Sequence, residues 1–268
     1  MMSNRTLIIV GFTVLSIAAA VLLPALPQSA AYHDFADHRT MFGVANFLDV
    51  SSNLGFLLVG LAGLVVVLHP RARFEFGCER WPYAVFFLGM LLTALGSGYY
   101  HLAPDNERLF WDRLPMTIAF MALISAQVVD RINVRGGLIL LPLMLLVGVA
   151  SVVYWRATER AGHGNVMPYG VLQGYSVLGL LLIALLQPSR YTRGNDVYWV
   201  FAAYMLSKLL EFFDRGFLAL SHVVSGHTLK HLAAAVAGVV ICRMLMLRTL
   251  RNPARSTTAG VGVSTWNT

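Results

Sequence analysis

The chain has 268 residues, of which 57% are hydrophobic and only 12% charged, and its formal net charge is +7. A water-soluble domain carries roughly a quarter charged residues, so this composition excludes a soluble globular enzyme and marks an integral membrane protein. The excess of arginine lies between apolar runs with no basic-aromatic pattern around it. It therefore points to orientation in a bilayer, and no nucleic-acid partner is expected.

In chain order, the first apolar run covers 7–23 and follows Arg5. It reads as a retained transmembrane helix or as a secretory signal, because Ser29-Ala30-Ala31 is a small-residue cleavage sequence. Residues 1–31 are accordingly set apart from a helical domain over 32–250. A polar segment, His33-Asp34-Phe35-Ala36-Asp37-His38-Arg39, precedes the second run at 46–68, whose first two turns carry Asp49, Ser51, Ser52 and Asn53. Polar groups at such positions face protein or water rather than lipid. Further spans are predicted over 82–101, 111–130, 137–155, 168–187, 196–213 and 224–247, lengths close to the ~20 residues a bilayer requires. Trp81, Trp111, Trp155 and Trp199 fall at span ends, where interfacial anchors belong. Residues 251–268, rich in Ser, Thr and Gly, are expected to be disordered. Cys78 and Cys242 fall at the inner ends of spans, where a disulfide is not expected. The expected fold is an all-α, polytopic transmembrane bundle.

With the N-terminus in the cytoplasm and the spans alternating, twelve arginines lie inside and six outside, the sign expected of a membrane protein. The C-terminus is then cytoplasmic. His101, Asp112, His227, His231 and the 34–37 segment all fall in one outer layer, although they are scattered along the chain.

That layer carries the chemistry. His227 and His231 are four residues apart in Gly226-His227-Thr228-Leu229-Lys230-His231, so on a helix both imidazoles leave the same face. Two imidazoles at that spacing can grip a metal ion, most commonly zinc, and His101 is the candidate third ligand. Three histidines leave the fourth zinc position open, as in catalytic rather than structural sites. Asp112 can then serve as the proton carrier and Ser97 as a hydrogen-bond donor to an oxyanion. Ser97 also reads as a packing residue, since it lies between Gly96 and Gly98. Plainer readings suit several neighbours: Lys208 and Glu211 as an intrahelical ion pair, Asp214-Arg215 as structural, His222 as an interfacial histidine.

Ser97-x3-His101, Asp112 followed by Leu114-Pro115-Met116, and Gly226-His227-x3-His231 together resemble the three signatures of the alkaline ceramidases. These belong to a superfamily of seven-helix membrane hydrolases that includes the adiponectin and progestin receptors. The resemblance runs from about Asp34 to Val240, with the seven family helices starting at Asn46 and the 7–23 run as an addition. It implies zinc on His101, His227 and His231, water activation by Asp112, and assistance from Ser97. It also implies hydrolysis of a ceramide-like N-acyl membrane lipid to a fatty acid and a sphingoid base. In that family an acidic segment before the first family helix can hold calcium; Asp34 and Asp37 resemble part of it, and Asn46 stands where an acidic ligand is usual.

Three other classes compete with an amidase. A receptor or regulator of the related branch would keep a structural metal with little hydrolysis. An electron-transfer bundle would use paired histidines on haem, but no second suitably spaced pair is present. A metal transporter would need a chain of polar side chains across the spans, which the sequence lacks.

Overall fold

In hydrocarbon every backbone N–H and C=O must be satisfied within its own segment, so each apolar run closes its hydrogen bonds as a helix. The computed structural model describes residues 3–251, and the helices it contains are α1 (Asn4–Leu22), α2 (Phe47–Ser51), α3 (Leu54–Leu68), α4 (Arg80–Leu102), α5 (Asn106–Arg131), α6 (Val134–Arg160), α7 (Met167–Leu186), α8 (Asp196–Phe212), α9 (Asp214–Ser221) and α10 (Gly226–Leu247). Taking α2 and α3 as one unit, seven segments among the described residues are long and apolar enough to cross a membrane. The protein is an all-α, multi-pass integral membrane protein. The expected span at 196–213 is present as α8, but it is only 17 residues long and ends at a break into the short α9. The tail over 252–268 lies outside the described residues, whereas Arg251 is tied down by its amide donating to the Arg190 carbonyl at 2.9 Å.

Helix α5 is the axis of the bundle, with the most interior surface of any span. It packs on α4, α6 and α7, while α10 fills the space between α3 and α8. Helix α1 lies outside, against α7, with Phe12 stacked on Tyr175 at 5.6 Å and no buried residue of its own.

Because the helices alternate in direction, one end of the bundle gathers the C-terminal ends of α4 and α8 and the N-terminal ends of α2, α5 and α10. The opposite end is closed by buried ion pairs. Asp130 Oδ2 accepts hydrogen bonds from Tyr83 Oη at 2.6 Å and Arg248 Nη1 at 2.7 Å. Beside them Glu79 accepts from Arg190 Nη2 at 2.8 Å and from the Tyr191 hydroxyl. Cys78 and Cys242 are both free.

Of the four tryptophans expected at the interface, Trp81, Trp111 and Trp199 are exposed, but Trp155 is fully buried. Its indole instead lies against the Arg113 guanidinium, 4.4 Å from the ring centre, and its Nε1 donates to Glu159 Oε1. A buried cation needs a partner, and an aromatic face supplies one.

Candidate metal centre

The site is assembled by three local devices. The first is a cap. Ser225 Oγ accepts the amide of Thr228 at 3.0 Å, starting α10 one residue before the first histidine of the pair. A Cβ on Gly226 would collide with the Leu210 carbonyl oxygen, so only glycine lets α10 begin against the end of α8. The second is a helix contact. Pro115 has no N–H to give the Trp111 carbonyl four residues earlier, and Gly96 of α4 lies so close to that freed oxygen that a Cβ there would overlap it. This contact brings Ser97 and His101 to the level of Asp112. The third is Asn46, which sits in the left-handed region at φ 48°, a conformation asparagine tolerates. Its Nδ2 donates to the His101 carbonyl at 2.8 Å and ties α2 to the end of α4.

His101, His227 and His231 converge. All three are buried, and their ligating nitrogens lie within 4.8 Å of one another. His101 Nε2 and His227 Nε2 are 3.3 Å apart. Two ligands at 2.0–2.1 Å on a tetrahedral ion stand about 3.3 Å from each other, so the pair already has the edge length of a zinc site. The tautomer of His231 follows from its neighbours. Ser52 Oγ donates to the Asp49 carbonyl at 3.0 Å, which leaves it to accept the proton of His231 Nδ1 at 2.7 Å. His231 Nε2 is therefore the lone-pair nitrogen and faces the cluster. These donors fit a borderline-soft divalent ion such as zinc.

The surroundings are rigid. Phe35 covers His227 and His101 at ring distances of 4.2 Å and 4.7 Å. Asp214 takes the His227 amide on Oδ1 at 2.7 Å and the Ala36 amide on Oδ2 at 2.8 Å, clasping the segment before α2 onto α10. Buried Asp49 accepts from Thr228 Oγ1 at 2.6 Å.

Asp112 and Ser97 are not members of the histidine group but line the same cavity as His231. That cavity, of about 160 Å³, continues between α4, α5, α7, α8 and α10 past Met90, Leu123 and Leu180 to Phe86. Ser97 and Phe86 are separated by about 16 Å of helix rise, so the slot is deep and mostly apolar. His222 is exposed, caps α9 in the left-handed region at φ 56°, and stands outside the cluster.

The residues expected for calcium do not fit that ion. Asp34 is exposed and bonded to Arg215 Nη2 at 2.6 Å. Asp37 is buried, and both its oxygens are taken by Arg39, through Nε at 2.8 Å and Nη2 at 2.6 Å. The Arg39 guanidinium thereby holds the Asp37 carboxyl below its usual range. Asn46 turns its Nδ2 to the His101 carbonyl and brings no negative charge to offer a dication. Calcium requires six or more oxygens, and here a guanidinium occupies the acidic position.

Helical spacing paired His227 with His231, and the alternation of spans put His101 in their layer. The sequence did not indicate Phe35 or Lys230, whose roles depend on contacts between distant segments, whereas Asp214, expected to be structural, is the clasp between Ala36 and His227. For Ser52 and Asn53 a signal existed, since polar residues opening an apolar run must find protein partners.

No family model matches the chain, and no curated protein matches it.

Proposed function

We propose that the protein is an intramembrane amide hydrolase that cleaves an N-acyl lipid, in the manner of the alkaline ceramidases, with zinc on His101, His227 and His231. The observation that carries this reading is a group of three buried imidazoles, one of which, His231, lines a deep apolar slot together with Asp112 and Ser97. Zinc in such a setting supplies Lewis acidity and a polarised water at neutral pH.

The chain's own residues perform the rest. The slot holds the acyl chain and excludes water from it. Asp112 takes a proton from the attacking water as its oxygen bonds to the carbonyl carbon, and Ser97 donates a hydrogen bond to the developing oxyanion. As the C–N bond breaks, Asp112 passes the proton to the departing nitrogen, giving a carboxylic acid and an amine. The bias of arginine toward the opposite end supports a non-cytoplasmic position for this end of the bundle.

Purified protein should carry about one zinc per chain, as a three-histidine site implies, and His231→Ala should lose both metal and turnover of a short-chain fluorescent ceramide. Metal retention with full turnover in that variant would overturn the mechanism. Asp112→Asn should keep the metal and lose about 10²- to 10⁴-fold in kcat, the usual contribution of a general base. Equal rates near background for Asp112→Asn and wild type would favour a receptor of the related branch.

A further inference from the structure

Lys208 on α8 and Lys230 on α10 line the same cavity as Ser97, Asp112 and His231. Glu211 lies between them, accepting Lys208 Nζ at 2.7 Å on one oxygen and Lys230 Nζ at 2.5 Å on the other. We propose that these two ammonium groups receive an anionic group on the head of the substrate, a carboxylate or a phosphate, so that the preferred lipid is an N-acylated anionic amine rather than a neutral ceramide. This rests on the hydrolase reading for the bond that is cut, but not for the binding it describes.

Charge and valence support the assignment. An ammonium has three N–H donors, and among the described residues each lysine makes one hydrogen bond, to Glu211. One carboxylate neutralises one ammonium, so the trio keeps a surplus positive charge. Asp112 is the other acid lining the cavity. With Asp112 and Glu211 ionised, the four charged side chains balance, and a divalent ion held by the histidines would add positive charge at the head of the cavity beside His231. Unbalanced charge within a span is costly and finds a partner. A pin between α8 and α10 would need only one lysine; the second supplies free donors beside the reacting layer. Lys230 immediately precedes His231, so a head bound there lies next to the amide that the metal layer would receive. The remaining wall is apolar and suits an acyl chain.

Binding tests this separately from catalysis. The full-length Asp112→Asn protein, zinc-loaded in nonionic micelles, and the metal-free wild type, which keeps the Asp112 charge, would both be titrated with N-palmitoylglycine, N-palmitoyl-phosphoethanolamine and neutral N-palmitoylethanolamine. At least one anionic lipid should bind about tenfold more tightly than the neutral one, the scale of a charge-assisted hydrogen bond; which of the two wins identifies carboxylate or phosphate. Adding Lys230→Gln or Lys208→Gln should erase that preference while leaving the neutral lipid's affinity unchanged. Lys208→Gln serves as the decisive variant if Lys230→Gln disturbs zinc content, since α8 carries no metal ligand. Equal binding of all three lipids, or a preference that survives Lys208→Gln, overturns the proposal. Selective binding with no turnover of any lipid by wild type would instead refute the hydrolase reading and leave the anion site standing.

Discussion

His231 presents its Nε2 lone pair to the cluster only because Ser52 is already committed as a donor to the Asp49 carbonyl. Such second-layer partners commonly control metal affinity by about 10- to 100-fold. Ser52→Ala should therefore weaken zinc binding by roughly that factor, measured by competition with a chromogenic chelator, with the fold unchanged. At Asp37 the sign of a pH effect can be worked out. Arg39 lowers the carboxyl below its ordinary value of 3.8, so this pair stabilises the fold at neutral pH and loses its contribution only as pH falls from about 3.8 through the lowered value. Arg39→Met should raise the midpoint of acid unfolding, read by circular dichroism, and activity should resist a calcium-selective chelator. The histidines were legible at this scale because i, i+4 spacing on a helix fixes their direction regardless of what surrounds them. Trp155 was not, because a tryptophan at a span end can face headgroups or a neighbouring cation, and only the position of Arg113 decides.

Helix ends control where the functional side chains stand. Gly226 meets the end of α8 so closely that a methyl group would be pushed into the Leu210 carbonyl. Gly226→Ala should cost about 1–3 kcal/mol in unfolding stability, the usual range for overpacking, and should lower zinc affinity as α10 shifts. Asp130→Ala provides the contrast. It would leave the fully buried Arg248 without its carboxylate, a loss of about 3–5 kcal/mol, yet metal affinity should be unaffected because that ion pair lies at the far end of the bundle. Span positions were readable from hydrophobic run length. The end of α8 was read within one residue, but the short α9 that follows was not, since its placement is set by the clasp of Asp214 on Ala36 and His227.

Across the whole molecule, the alternation of spans gathers residues separated by more than a hundred positions into one layer, and that much follows from counting crossings. Which layer faces the cytoplasm rests on the arginine distribution. An impermeant thiol reagent applied to intact cells should spare the exposed Cys78 at the arginine-rich end and label Arg160→Cys at the other; the reverse pattern would invert the topology. The apolar slot itself could not be read in advance, because its walls come from several helices, α3 among them through Phe56, whose relative rotation is settled by packing.

The Phe35 ring has a kinetic consequence. It closes over His101 and His227 from the segment that precedes α2, and Asp214 latches that segment shut. An ion bound by the histidines would be stoppered on its aqueous side, and its exchange would have to wait for the latch to open or follow the hydrophobic channel. Stripping by dipicolinate should accordingly be slow in the native protein and much faster after Phe35→Ala, even where equilibrium affinity is little altered.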